Sequence, residues 1–151
     1  MFDNVNKIII KSYKEITDPI IQTFRKYAFD DYFINYPPKH VFYPDTNLWI
    51  TAFDNTTPIG IFEIHIPEDE KEQTYCNVDY SFIKENYRNK GIFKLMFLFL
   101  VEYLKQQNIK NIYISVEHGN VISHKAQLSV GFAPTYIQYK YCIDDHKLPN
   151  A

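Results

Sequence analysis

Residues 75–107 narrow most sharply what this chain can fold into. Residues 75–83 alternate, with Cys76, Val78, Tyr80 and Phe82 on one side and Asn77, Asp79 and Ser81 on the other, which is the two-residue period of a β-strand. That strand runs through a basic turn holding Gly91 into a helix over about residues 90–107. In the helix Phe93, Met96, Phe97, Leu100 and Leu104 make an apolar stripe, and Lys94, Glu102 and Lys105 leave only a narrow polar one. A helix this apolar must be buried against a sheet, so the class is α/β. A strand with one polar face, in a chain that is 17% aromatic, points to a cleft.

The remaining segments extend the same class. Residues 7–11 are a β-branched run, and Thr17, Asp18 and Pro19 start a helix that reaches about residue 29. Residues 30–46 read as an irregular, aromatic-rich connection. Residues 48–53 and 59–66 form an antiparallel hairpin across the turn at 54–58, and the acidic run 68–72 is a solvated turn. Residues 111–116 are a strand, 121–130 a short helix stopped at Gly131, and 135–143 a last, tyrosine-rich strand. The order β, α, irregular, β, β, β, α, β, α, β describes a mixed sheet with helices packed on it. No repeat or low-complexity linker interrupts it, so residues 1–151 are expected to form a single domain.

Composition removes several classes of function. A chain of 151 residues, 46% hydrophobic and 23% charged, is neither disordered nor collagen-like. Its 16 Lys and Arg against 18 Asp and Glu leave a net charge of −2, which gives no basis for a nucleic-acid partner. The longest apolar run, residues 95–101, is bounded by Lys94 and Glu102, and the N-terminus lacks a signal-peptide pattern. Neither a membrane span nor a membrane partner is expected. Cys76 and Cys142 lie far apart without CxxC spacing, which suits a reducing compartment and a cytoplasmic location. His40, His65, His118, His124 and His146 have no metal-ligand spacing, so no metal is expected.

Chemistry concentrates where the strand enters the helix. Between Lys84 and Lys94 stand four basic residues and one acidic residue, in a chain that is otherwise net negative. A strand passing through such a turn into a helix offers unpaired backbone N–H groups at the positive end of the helix dipole, a site for phosphate. Neither GxxxxGK[ST] nor GxGxxG occurs, which leaves nucleotide-hydrolysing and Rossmann readings unsupported.

The run Arg88, Asn89, Lys90, Gly91, Ile92, Phe93 resembles the R/Q-x-x-G-x-G/A motif of the GCN5-related N-acetyltransferase (GNAT) family. Asn120 and Ser123, followed by Gly131 and Phe132, are similar to that family's N-x-x-S/A…G-F segment. The resemblance covers about residues 47–143, with a cofactor-binding core at about 75–132. It implies an acyl-CoA N-acyltransferase fold, acetyl-CoA as cofactor, and direct acetyl transfer to a primary amine of a small molecule or a peptide; it is compatible with a homodimer. It further implies that the pyrophosphate sits on the backbone of Asn89, Lys90, Gly91, Ile92 and Phe93, flanked by Arg88. Pantetheine would pair with the backbone near Ile83, Asn120 would contact its arm, and Ser123 would either bond the cofactor or cap the helix.

On the preceding strand, the resemblance places the family's catalytic position at Asn77 or Asp79, of which only Asp79 is ionisable. Asp79 is read as the group that draws in a cationic amine and takes its proton; the alternative is a structural carboxylate at a strand edge. Glu63 and His65 could share the cleft or form a satisfied surface pair. The aromatic residues Tyr27, Phe29, Tyr32, Phe33, Tyr36, Phe42, Tyr43 and Trp49 divide between core and acceptor pocket. Two departures from the family pattern stand out. Phe93 replaces a small residue, and either alters the phosphate approach or points into the core. Gln127 stands where many members carry a tyrosine that protonates the leaving thiolate, which motivates the alternative of a CoA-binding regulatory or interaction protein without transfer.

Overall fold

The computed structural model describes residues 7–35, 45–68, 75–115 and 120–135. Five strands form one sheet in the order β1(Ile8–Tyr13), β2(Leu48–Asp54), β3(Thr57–His65), β4(Tyr75–Ile83), β5(Asn111–Ile114). The first four pair antiparallel and β4 pairs β5 in parallel. The helices are α1(Pro19–Asn35), α2(Ile92–Gln106) and α3(Val121–Ser129), with a 3₁₀ turn at Glu85–Tyr87. The expected strand over 135–143, Cys142, and most of the 30–46 and 68–72 segments lie outside the described residues.

β2 and β3 are buried on both faces, because a helix covers each side of the sheet. Leu48, Ile50, Phe62 and Ile64 pack against Ile92, Met96, Leu100 and Leu104 of α2. On the opposite face Trp49, Ile61, Tyr80 and Phe82 pack against Phe24 and Ala28 of α1. Each fully buried Leu or Ile adds about 1.5–3 kcal/mol of burial free energy. Gly60 allows the α2 layer to approach: a Cβ there would meet Met96 Sδ at 2.9 Å.

Two features differ from the expectation. The first is α1, which continues to Asn35, beyond residue 29, because nothing before Pro37 breaks the helix and Ile21, Phe24 and Ala28 anchor its inner face. The second concerns β4, whose alternation is broken by a bulge. Glu63 pairs with Tyr80, but the next rung joins Ile64 to Val78, so Asp79 is the additional residue. Cys76 and Val78 therefore face α2, whereas Tyr80 and Phe82 face α1. All four are buried, as a simple alternation predicts, but on opposite sides of the sheet, and Asn77, Asp79 and Ser81 do not share one face.

Candidate active site

The β4–β5 ladder ends at Val78 and Ile114, while β4 runs on to Ile83. Beyond Val78 the β5-facing edge of β4 has no strand beside it among the described residues. Lys84 N–H donates to the Ile59 carbonyl at 2.8 Å, which sets the alternation of the antiparallel ladder. By that alternation Tyr80 and Phe82 bond toward β3, and the backbone groups of Ser81 and Ile83 point to the open edge. The Ile83 carbonyl accepts from Arg88 Nε at 2.7 Å, so the acceptor that the sequence reading gives to pantetheine is engaged by Arg88.

Downstream, Gly91 caps α2 at φ 81° with no side-chain cap, and Asn89 also lies in the left-handed region at φ 61°. The first intrahelical bond runs from Leu95 N–H to the Gly91 carbonyl. The N–H groups of Ile92, Phe93 and Lys94 are thus left with neither an intrahelical acceptor nor a capping side chain. A Cβ on Gly91 would meet nothing within 4 Å, so the turn faces open space.

The turn is pinned from three sides. Tyr87 Oη donates to Asp54 Oδ2 at 2.6 Å, tying it to the β2–β3 hairpin. The Arg88 guanidinium lies 5.5 Å from the Phe82 ring centroid and reaches Asp31 of α1 at 3.8 Å. Lys90 Nζ sits 5.8 Å over the Tyr87 ring. Phe93 points inward, with its ring 5.3 Å from that of Phe62 and stacked on Phe97 at 6.5 Å. It takes the core position of its two alternatives and keeps its bulk off the turn.

Asn120, 8% exposed, caps α3: its Oδ1 accepts from Ser123 N–H at 3.1 Å. Ser123 Oγ in turn accepts from Gln127 Nε2 at 3.4 Å. Asn120 is therefore the cap of α3, while Ser123 receives that cap through its backbone N–H and its hydroxyl bonds Gln127 within the helix. Gln127 is buried, and its Oε1 accepts no hydrogen bond among the described residues.

The bulge sets Asp79 at the point where β4 leaves β5. Its Oδ2 accepts from Thr46 Oγ1 at 3.4 Å. Burial raises the Asp79 carboxyl above its ordinary value; His65 and the Thr46 hydrogen bond oppose that rise, and the charges of Glu63 and Asp45 add to it. Glu63 is not a surface group. It is 5% exposed and accepts from Arg25 of α1 at 2.6 and 3.3 Å and from Trp49 Nε1 at 3.2 Å, while Arg25 lies 5.2 Å over the Trp49 ring. The sequence reading missed this triad; the two-residue spacing of Ile61, Glu63 and His65 carries a signal for it, since an acid alternating with a core residue points into the same layer. His65 pairs with Asn77, Trp49 and Phe29 are packed in the α1 layer, and Tyr27 is half exposed. The side chains of Tyr32 and Phe33, together with Tyr36, Phe42 and Tyr43, lie outside the described residues. Burial pushes the free Cys76 thiol up to about 12, so it stays protonated.

Among the described residues no helix is long and apolar enough to cross a membrane, and no three His, Cys, Asp or Glu side chains are grouped to hold a metal. No curated protein matches the chain. Solved structures do. An aminoglycoside acetyltransferase from an uncultured soil metagenomic sample, in complex with sisomicin, aligns with a TM-score of 0.69 at 10% identity, over 93% of this chain and 99% of that one. The ribosomal-protein-alanine N-acetyltransferase of Brucella melitensis biovar Abortus 2308 aligns with a TM-score of 0.68 at 12% identity, over 90% and 99%. The aminoglycoside N-acetyltransferase AAC(6')-Iy, in complex with CoA, aligns at 0.65 and 15%, over 89% and 98%. At these identities the likeness is one of fold. The family model for the acetyltransferase (GNAT) family matches residues 10–132. The chain therefore belongs to the GNAT family of N-acetyltransferases, enzymes whose co-substrate is acetyl-CoA.

Proposed function

We propose that this protein transfers the acetyl group of acetyl-CoA directly to a primary amine of a cationic small molecule or a basic peptide, with Asp79 as the base. The observation that carries the reading is the placement of Asp79: a half-buried carboxylate on a bulge, at the point where two parallel strands part. Bulges recur beside active sites because they re-aim one side chain without moving the rest of the strand.

The residues present suit acetyl-CoA. The open edge at Ser81 and Ile83 can accept an added strand-like arm, as peptides add to exposed sheet edges. The uncapped start of α2, with Asn89, Lys90, Gly91, Ile92 and Phe93 around it and Arg88 beside it, presents N–H donors and positive charge to a pyrophosphate. In this reading Arg88 exchanges its bond to the Ile83 carbonyl for a contact with phosphate, and Asn120 keeps the α3 cap beside the pantetheine arm while Ser123 completes it. Acetyl-CoA supplies an activated acyl thioester. Asp79 supplies the other requirement: it removes the proton from the attacking amine as the C–N bond forms and the C–S bond breaks. Gln127 has no titrating proton, so the departing thiolate takes its proton from water.

The acceptor class follows from charge. Asp45 and Glu63 are close enough to add to the burial-driven rise of the Asp79 carboxyl, and Glu63 is already paired with Arg25. The Asp79 and Asp45 carboxylates, beside His65, favour a cation. Acetylation of aminoglycosides and of ribosomal-protein alanine by the similar proteins falls within this class. The buried free thiol of Cys76 supports a cytoplasmic location for the same enzyme.

The test is release of the CoA thiol from acetyl-CoA over polyamines, amino sugars, aminoglycosides including sisomicin, and peptides with free N-termini. Amine-dependent thiol release is the expected result. Acetyl-CoA binding with no release for any amine would overturn the reading in favour of a CoA-binding regulatory protein.

A further inference from the structure

We propose that Thr46 and Asn47 form a positioning device for the Asp79 carboxylate, in which Thr46 Oγ1 holds Oδ2 and leaves Oδ1 to receive the amine proton, while Asn47 locks the segment that carries Thr46. The inference rests on Asp79 being the base.

A bulged residue has no partner opposite it, so the ladder by itself constrains its side chain less than it would a regular strand residue. The constraint comes from the segment before β2. Thr46 donates to Asp79 at 3.4 Å across the width of β3, the strand that separates their elements. Thr46 alone would be a mobile hydroxyl on a connecting segment.

Asn47 removes that freedom. Its backbone N–H donates to the Ile64 carbonyl at 3.0 Å, its Oδ1 accepts from Ile66 N–H at 2.8 Å, and its Nδ2 donates to the Ile66 carbonyl at 2.7 Å and to Glu68 Oε1 at 3.3 Å. The carboxamide thereby meets both backbone polar groups of Ile66, as a strand residue would, one step past the end of the β2–β3 ladder. A residue held by four hydrogen bonds sits next to the one that touches the base.

The hydroxyl also affects basicity, since a hydrogen bond donated to a carboxylate favours its charged form. The titrating groups that face Asp79 are His65 and Glu63 of β3, Asp45 of the same segment, and the Cys76 thiol of β4. His65 acts in the same direction as Thr46, and Glu63 and Asp45 act against it. Thr46 is the hydrogen-bonding contributor among them, so its removal has a defined sign.

The experiment is a carbon-detected NMR titration of the Asp79 carboxyl in the full chain, for wild type, Thr46→Val, Thr46→Ser and Asn47→Ala. It is paired with turnover of whichever amine of the panel releases thiol fastest. Thr46→Val is expected to move the Asp79 titration, and with it the acid limb of kcat/KM, to higher pH. It should lower kcat about tenfold, the scale of losing one hydrogen bond to a charged group, with acetyl-CoA affinity unchanged. Thr46→Ser restores both, and Asn47→Ala reproduces the titration shift with a lower Tm. An Asp79 titration unmoved by Thr46→Val overturns the proposal. So does a Thr46→Val rate loss that persists undiminished in an Asp79→Asn background. Normal turnover by Asp79→Asn alone removes the base itself, which is failure of the underlying reading and is told apart by that single variant.

Discussion

Val78 and Ile114 are the last pair of the β4–β5 ladder, and the next residue of β4 is the bulged Asp79. A carboxylate placed where two parallel strands part can reach a space that neither strand fills. Asp79→Asn keeps the shape and removes the proposed base, so kcat is expected to fall about 10²-fold or more while acetyl-CoA affinity holds. Steady-state turnover alongside calorimetric titration of acetyl-CoA checks both halves.

The same residue links pH to stability. Burial raises the Asp79 carboxyl in the folded protein, so folding favours its protonated form. Its contribution is therefore full below the ordinary carboxylate value of 3.8 and declines as pH rises through the folded value. Asp79→Asn should raise Tm at pH 7, and the gain should vanish when the melt is repeated below the ordinary value. With Asp79 in its proposed role as base, the sign in activity is reversed: transfer is expected to be lost as pH falls through the raised value, because the carboxylate becomes protonated.

Glu63 is expected to govern stability. Glu63→Ala leaves Arg25 and Trp49 Nε1 without their shared acceptor. Breaking a fully buried ion pair costs about 3–5 kcal/mol, and Arg25 keeps 34% exposure, so about 2 kcal/mol is the expected loss in urea denaturation. A loss under about 0.5 kcal/mol would place this pair among ordinary surface ion pairs.

At the helix entrance, two variants test different physics. Arg88→Ala removes a partly solvated charge and should weaken acetyl-CoA by about 1–2 kcal/mol. Gly91→Val meets no steric obstacle, yet it forces a β-branched residue to φ 81°. That costs about 1–2 kcal/mol of stability and redirects the N–H donors of α2, so binding should suffer more than in Arg88→Ala. Isothermal titration of acetyl-CoA into both variants, with circular dichroism to establish the fold, decides.

Tyr87→Phe removes only the hydroxyl that ties this turn to Asp54. The ring that carries Lys90 is retained. Acetyl-CoA binding should weaken severalfold through a faster off-rate, with Tm almost unchanged. Stopped-flow displacement of bound acetyl-CoA measures the rate directly.

Local pattern by itself marked α2 and the basic strand-to-helix turn before it. The stripe from Met96 to Leu104 could only be a buried helix, and the positive charge around Gly91 marked the strand-to-helix junction, because periodicity and turn chemistry act over a few neighbouring residues. The side on which each β4 residue lies was decided only by the tertiary structure. The run from Cys76 to Phe82 reads as one alternating face, but a bulge is a relation between two strands, visible only where Glu63 and Ile64 choose Tyr80 and Val78 as partners. The same holds for the Arg25, Trp49 and Glu63 triad and for the contact between Thr46 and Asp79. Their members lie 14 to 38 residues apart in sequence and meet because β3 lies beside β2 and β4 while α1 crosses its face. Phe93 shows the two levels together: its spacing allowed either the phosphate side or the core, and the Phe62 ring on the neighbouring layer settled it.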